Sequence, residues 1–386
     1  MKNILFVHQS AEMYGSDKVL LYLVSGMTAH GLNPIVLLPE EGPLLLELQK
    51  CGVETQIVPV TKLDRKTLSP KGLLRLPWSL YKSIVGINRA VAGRKIDLVY
   101  SNTLAVLGSA VWALLMRKPH VWHVHEILLS PTVVRKGFPW MVRLLADKAI
   151  CNSTMTSNWL LAEQPRLATK TVVIWNGQGP RPAPNAPAAA QVRVQLGIAP
   201  DDLVVTLVGR INRWKGQALF IDAANMLRQR GFRNVHFLIV GSAVAGQENL
   251  VEDLRHKIAQ SSVAAHVHIL AFTHDVWSVW DASDIAVVPS TEPEPFGMVA
   301  IEAMASGKPV VVAAHGGLLD IVEDGVSGLQ FEANHASKFA KAMEKLIRSA
   351  DLRKQMGLAG KQRQEELFSL ESQVESTAKL LHAMAH

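Results

Sequence analysis

Short apolar runs recur along this chain, each followed by a segment long enough for a helix, and they do so in two series. The first comprises Ile4 to Val7, Ile35 to Leu38, Ile57 to Val60, Leu98 to Tyr100, His120 to Val124, Ala149 to Cys151 and Val172 to Trp175. The second comprises Leu203 to Val208, Val235 to Val240, Val267 to Leu270, Ile285 to Val288 and Pro309 to Val312. Strand, helix, strand repeated is the pattern of parallel sheets covered by helices on both faces. It predicts an α/β fold of two Rossmann-like, doubly wound domains.

Between the two series, after Asn176-Gly177, lies Gly179-Pro180-Arg181-Pro182-Ala183-Pro184-Asn185-Ala186-Pro187, a composition that favours neither helix nor sheet. The expected division is a first domain over 1–178, a linker over 179–190 and a second domain over 191–365. A helix over 366–386 is expected to pack back on the first domain. From Ala336 onward the apolar residues fall at helical spacing, Leu346, Ile347, Leu352 and Met356 and later Leu367, Leu370, Val374 and Leu381 among them.

Bulk properties agree. A chain of 386 residues exceeds one ordinary core, and 48% hydrophobic against 19% charged residues supplies two. Cys51 and Cys151 have no CxxC partner, so neither a disulfide framework nor a thiolate metal site is expected. The apolar run after Lys2 is too short for a signal peptide, which predicts a cytoplasmic location. Leu98 to Met116 is uncharged, but Tyr100-Ser101-Asn102-Thr103 interrupts it with polar groups and a helix cap, so strand, turn and buried helix are expected rather than a membrane span.

The formal net charge is +7. Lys62 to Lys95 contains nine Lys or Arg and one acid, Asp64, interleaved with Leu73, Leu74, Leu76, Trp78, Leu80, Tyr81, Ile84 and Val85. A basic amphipathic segment of this kind suits peripheral contact with an anionic membrane. A solvated helix face beside a core reads equally well. No nucleic-acid motif accompanies the charge, so nucleic acid is not an expected partner.

Open α/β domains bind ligands at the carboxyl ends of their strands. Strand Leu203 to Val208 ends in Gly209-Arg210-Ile211-Asn212-Arg213-Trp214-Lys215-Gly216, which presents two cations where a helix begins, a place suited to phosphate. After strand Ile285 to Val288 comes Glu294-Pro295-Phe296-Gly297-Met298-Val299-Ala300-Ile301-Glu302. Two carboxylates about two turns apart, with helix-start amides between them, suit two sets of vicinal hydroxyls flanking a diphosphate. A sugar nucleotide has that layout, although each motif alone could be surface cations or a helix cap.

The run Gly209 to Gly216, the pair Glu294 and Glu302, and Gly316-Gly317 after the strand Pro309 to Val312 together resemble retaining glycosyltransferase family 4, of GT-B fold, along nearly the whole chain. The resemblance implies that Arg210 and Lys215 bind the diphosphate, Glu302 holds the ribose and Glu294 orients the donor sugar. The amides of Phe296, Gly297, Met298 and Val299 would surround sugar and phosphates, beside Gly209. Leu270-Ala271-Phe272 resembles the segment whose backbone meets the nucleobase, with Ala271 where glycine is common. Asp320 stands where glutamate is frequent.

In the first domain, His120-Val121-Trp122-His123-Val124-His125-Glu126 carries alternating outward histidines, with His123 and His125 on one face. The resemblance implies that His125 lines the donor-sugar pocket across a cleft and that His123 is structural. Glu126 does not open an HExxH motif, so no metal is expected. The loop Gln9 to Asp17 resembles the family's glycine-rich loop near phosphate and acceptor, with Tyr14, Gly15 and Ser16 at its centre; one glycine stands where two are usual, and GxGxxG is absent. Ser153 and Asn176-Gly177 occupy the places of a cleft-lining serine and a hinge.

The expected function is that of a retaining, metal-independent hexosyltransferase. It would use a UDP- or GDP-linked donor and no cofactor, and would act on a saccharide or lipid-linked saccharide in bacterial surface-polysaccharide or lipopolysaccharide assembly. A GT-B sugar-nucleotide epimerase and a non-catalytic two-lobed sugar-binding protein remain as alternatives.

Overall fold

A computed structural model describes residues 1–13, 15–64, 66–244 and 246–385. The chain forms two compact units, Met1–Gly179 with the chain's last segment from Ser369, and Pro180–Phe368.

The first unit contains β1 (Lys2–Val7), α1 (Gly15–Met27), β2 (Leu32–Leu38), α2 (Pro43–Lys50), β3 (Glu54–Ile57), α3 (Pro70–Ala90) and β4 (Leu98–Asn102). It continues through α4 (Gly108–Leu115), β5 (His120–Val124), α5 (Thr132–Leu145), β6 (Lys148–Cys151), α6 (Thr154–Glu163) and β7 (Thr171–Val173). All its strands pair in parallel, in the order β3-β2-β1-β4-β5-β6-β7. The order reverses between β1 and β4, which places a switch point there.

The second unit runs α7 (Ala186–Gln195), β8 (Leu203–Val208), α8 (Gln217–Gln229), β9 (Val235–Val240), α9 (Asn249–Ala259), β10 (Val267–Leu270), α10 (Val276–Ala282) and β11 (Ile285–Val288). Then come α11 (Met298–Ala305), β12 (Val310–Ala313), α12 (Leu318–Ile321), β13 (Gly328–Phe331), α13 (Ala336–Arg348) and α14 (Ala350–Leu367). Its parallel sheet has the order β10-β9-β8-β11-β12-β13, with the reversal between β8 and β11. A last helix, α15 (Leu370–Met384), returns to the first unit, where Val374, Ala378 and Leu381 join the core beside Leu20 and Val24 of α1.

Several elements differ from the sequence reading. The third strand is Glu54–Ile57 rather than Ile57 to Val60, since Pro59 has no amide to extend the ladder and the edge position tolerates Glu54-Thr55-Gln56. Ser101 and Asn102 belong to β4 instead of a helix cap, and α4 starts after Leu107 with no side-chain cap. Residues 186–190 of the expected linker are helical: Asn185 caps α7 through the Ala188 amide, and Pro187 lies in the first turn, where its missing N–H costs nothing. The final helix begins at Leu370, capped by Ser369, rather than at 366. β13 was not expected at all. It is four residues long and opens on Gly328, too brief for an alternation to register.

Among the described residues no helix is long and apolar enough to cross a membrane. The uncharged stretch Leu98 to Met116 is β4, a turn and α4.

Candidate active site

Each unit carries a cluster of polar side chains at its own switch point. In the second unit, β8 ends against Gly209, whose amide donates to the Val240 carbonyl (2.9 Å), and the loop to α8 follows. Asn212 Oδ1 accepts from the Trp214 and Lys215 amides (3.2 and 2.9 Å), which folds the loop into a tight turn. Gly216 closes it at φ +80°; any side chain there would also overlap the Pro289 carbonyl, so glycine is required twice over. The Gln217 amide group donates to the Arg210 carbonyl (2.9 Å) and holds the loop's other end, leaving Arg210 exposed.

This turn presents Lys215 to the loop that leaves β11. Lys215 Nζ donates to Glu294 Oε1 at 2.5 Å, with both side chains largely buried, and lies 4.5 Å from the Trp214 ring centroid. Ser290 Oγ donates to the same carboxylate oxygen (2.6 Å), and His315 Nε2 contacts the Ser290 carbonyl at 2.7 Å. The Thr291 amide donates to the Trp214 carbonyl (2.7 Å), tying the two loops together. An ammonium has three donors, so Lys215 keeps capacity beyond Glu294.

Gly316 and Gly317 back the Glu294 loop. Gly316 has φ +68°, a Cβ on it would strike the Glu294 backbone, and the Gly317 amide donates to the Glu294 carbonyl (2.7 Å). Phe296 is buried against Phe368, at 6.0 Å between ring centroids. Gly297 is the residue before α11, so the Met298 and Val299 amides open the helix ahead of its first intrahelical donors, with the positive end of the dipole beside them. Glu302 lies in the second turn of α11, partly buried. Glu294, Lys215, Gly209 and the helix start are thus brought together. Asp320 sits in α12, just past the glycine turn.

The segment assigned to the nucleobase lies at the end of β10. The Leu270 carbonyl accepts from the Gly241 amide (2.9 Å), so that residue's backbone is engaged by the neighbouring strand end. Its neighbour Phe272 is 53% exposed and edge-on to His274, while the Phe272 amide donates to Ser242 Oγ (3.0 Å).

In the first unit the histidines point inward, contrary to the outward alternation expected, because β5 is a central strand covered on both faces; His120 and His123 are each 1% exposed. His123 and His125 do share a face, their rings 3.8 Å apart. Tyr100 Oη lies 2.7 Å from His123 Nδ1, and burial pushes His123 down to about 3, which fits a structural role. His125, just beyond the strand, is driven well below the usual histidine value by desolvation and then by His123 and His8. Its Nε2 is 2.9 Å from Asn102 Oδ1. Glu126 Oε2 accepts from the Leu104 and His125 amides (3.2 and 3.1 Å), yet burial still pushes its carboxyl up to about 7.

Three residues at this end escaped the sequence reading. His8 follows β1, Asp17 lies in the first turn of α1, and Asn102 ends β4. His8 and Asn102 share a signal, a polar side chain at the carboxyl end of a buried parallel strand or directly after it, whereas Asp17 is an acid in the first turn of the helix that follows. Thr103 adds backbone strain, with φ +81° on a β-branched residue, held by the Trp122 indole donating to its carbonyl (2.8 Å) and by its own amide donating to the His123 carbonyl (3.0 Å).

Of the loop assigned to phosphate and acceptor, Tyr14 lies outside the described residues. Gly15 and Ser16 open α1, and a side chain at Gly15 would meet nothing, so packing does not demand glycine there. Asp17 already places a carboxylate in that first turn. Ser153 is the N-cap of α6, its Oγ accepting from the Thr156 amide (3.0 Å), which gives it a structural task. The Gly177 amide donates to Gln373 Oε1 of α15 (2.7 Å). Cys151, buried in β6, has its thiol pushed up to about 12 and is no nucleophile.

Two parallel sheets of reversed order, each with its polar cluster at the switch point, define a GT-B type of protein. Residues 13–178 match the family described as Glycosyltransferase Family 4, and residues 189–363 match the one described as Glycosyl transferases group 1. The chain belongs to glycosyltransferase family 4. Curated relatives include D-inositol 3-phosphate glycosyltransferases of Nocardia farcinica, 35% identical over 44% of this chain and 38% of that protein, and of Geodermatophilus obscurus, 34% identical over 62% and 53%. The aligned parts thus span about half or less of those proteins. Among solved structures, Anabaena HepE in complex with UDP and glucose is 26% identical with a TM-score of 0.83, over 99% of this chain and 100% of that one. A glycosyltransferase from Rickettsia africae shares the fold, at 19% identity and a TM-score of 0.84, over 99% and 98%.

Proposed function

We propose that this chain transfers a hexose from a nucleoside-diphosphate sugar to an acceptor hydroxyl, with retention at the anomeric carbon. The observation that carries the reading is the switch point between β8 and β11, where Lys215, Glu294 and the start of α11 converge. Arg210, Lys215 and the amides of Gly297, Met298 and Val299 would stabilise charge developing on the departing diphosphate. Glu302 would take the ribose hydroxyls, and Glu294, held by Lys215 and Ser290, would orient the sugar. His125 is assigned to the donor sugar by family resemblance. Binding both substrates supplies proximity, so no side chain need act as nucleophile.

Cations placed at the phosphate do the neutralising that Mg²⁺ would otherwise do, so turnover in excess chelator is expected. Likeness to Anabaena HepE, which was solved with UDP and glucose, favours a uridine donor ahead of a guanosine one. The proposed acceptor is a saccharide or lipid-linked saccharide in surface-polysaccharide or lipopolysaccharide assembly at the inner face of the membrane. Support for it comes from α3, where Leu74, Trp78 and Tyr81 are 84%, 60% and 56% exposed and Lys82 lies 5.3 Å from the Trp78 ring centroid.

The test is thermal stabilisation of the purified chain across UDP- and GDP-sugars, repeated with Glu302→Ala. A shift with one nucleotide class that the substitution abolishes supports the donor site, because ligand bound to the native state raises its apparent stability. No shift with any nucleotide at a large excess would sink the reading.

A further inference from the structure

A chain of hydrogen bonds runs through the first unit from α1 to the end of β5, and its direction can be worked out from donor and acceptor chemistry. Asp17 Oδ1 lies 2.8 Å from His8 Nε2, both side chains being buried. A carboxylate only accepts, so His8 Nε2 carries the hydrogen. Asn102 Nδ2 lies 3.0 Å from His8 Nδ1 and 3.5 Å from the Ser16 carbonyl oxygen. That carbonyl can only accept, so the end of Asn102 facing it is the NH₂, and His8 Nδ1 takes the other hydrogen as a lone-pair acceptor. Asn102 Oδ1 is then the end facing His125 Nε2 at 2.9 Å, which requires a hydrogen on that nitrogen.

We infer that Asp17, His8 and Asn102 form a positioning relay that locks His125 in the Nε2–H tautomer, so that its Nδ1 is presented as a hydrogen-bond acceptor. The chemical consequence is selective: the group His125 meets must be a donor, as a sugar hydroxyl is, and a ligand oxygen without a hydrogen gains nothing there. This rests on the proposed function only for the identity of the ligand; the tautomer follows from the relay itself. Desolvation keeps the His125 ring neutral, which the relay needs because an imidazolium would offer donors at both nitrogens. Around the ring stand His123, in ring contact, Glu126, whose carboxylate takes the His125 amide, and His8 with Asp17 at the far side of Asn102.

Nitrogen NMR of the full chain with ¹⁵N-labelled histidine reads the tautomers directly, with His125→Gln and His8→Gln variants assigning the two signals. Both rings are expected in the Nε2–H tautomer, with the His125 ring neutral at neutral pH. Asn102→Leu should cost His125 its single-tautomer signature. Asn102→Asp, which keeps an acceptor oxygen facing His125 Nε2, should leave His125 in the Nε2–H form. A His125 signal of the Nδ1–H form, an imidazolium at neutral pH, or a tautomer unchanged by Asn102→Leu would each overturn the relay. Because no nucleotide enters this measurement, its failure is distinct from failure of the donor-site reading.

Discussion

Lys215 and Glu294 are 79 residues apart in sequence and meet at 2.5 Å in a largely buried ion pair, so each is a structural partner of the other as well as a proposed ligand of the donor. Removing one charge leaves the other buried and unpaired, which typically costs about 3 to 5 kcal/mol. Lys215→Met should therefore lower stability in denaturant titration by that order, and adding Glu294→Gln should restore much of it while turnover stays lost. An additive pair would mean the two charges are uncoupled. Glu126 makes a pH prediction. Its folded value of about 7 lies above the ordinary carboxyl value of 4.5, so its contribution to stability is full below 4.5 and is lost as pH rises through 7. Glu126→Gln should match the parent chain in acid and exceed it above neutrality by up to about 3 kcal/mol, read as the difference between denaturation curves. The buried His120 and His123, lowered to about 4 and about 3, act in the opposite sense and cost both proteins stability as pH falls below 6.5. They cancel in the difference.

At the scale of the element, α3 is the helix whose surface asks for explanation. Its inner side packs Leu76, Leu80 and Ile87 into the first unit, while Leu74, Trp78 and Tyr81 remain outside among Lys71, Arg75 and Lys82. Such an outer face gains free energy at an anionic bilayer, at roughly 1 kcal/mol for each basic residue near the headgroups. Arg75→Glu with Lys82→Glu should abolish salt-sensitive flotation with anionic liposomes and leave thermal stability nearly unchanged. Equal flotation of parent and variant would remove the membrane from the proposal. α11 is a short helix whose start is fixed by its neighbours. Residues 294–297 are clamped by Gly316, Gly317 and Lys215, so the amides at its start are positioned before any ligand arrives.

For the whole molecule, the chain builds the first unit, leaves it for the second, and comes back. α15 supplies Val374, Ala378 and Leu381 to the first unit's core, Val374 seated where any side chain on Gly26 would clash. The Lys2 ammonium donates to the Ala385 carbonyl, and His382 Nε2 lies 2.7 Å from the His30 carbonyl. Ending the chain at Phe368 should therefore destabilise the first unit and spare the second, seen as two separated melting transitions in calorimetry. Leu381→Ala should do the same more mildly, at about 2 to 5 kcal/mol. A single transition shifted as a whole would show that the units unfold together.

Periodicity of apolar residues was enough to establish two parallel-sheet units and most of their strands, because a strand buried on both faces must be apolar whatever lies beside it. Motif spacing singled out Arg210, Lys215, Glu294 and Glu302 as the residues proposed for phosphate and diol, since each of those groups demands particular side chains near one turn. Local chemistry alone could not say that Lys215 would spend a hydrogen bond on Glu294, that Ser290 would share that carboxylate, or that Leu270 would give its carbonyl to Gly241. Nor could it say that His8, Asp17 and Asn102 would line up behind His125. Apart from Ser290 and Glu294, which follow the same strand, these pairings join segments flanking different strands, and only the sheet order and register, set by burial across the whole sheet, decide which strand ends become neighbours.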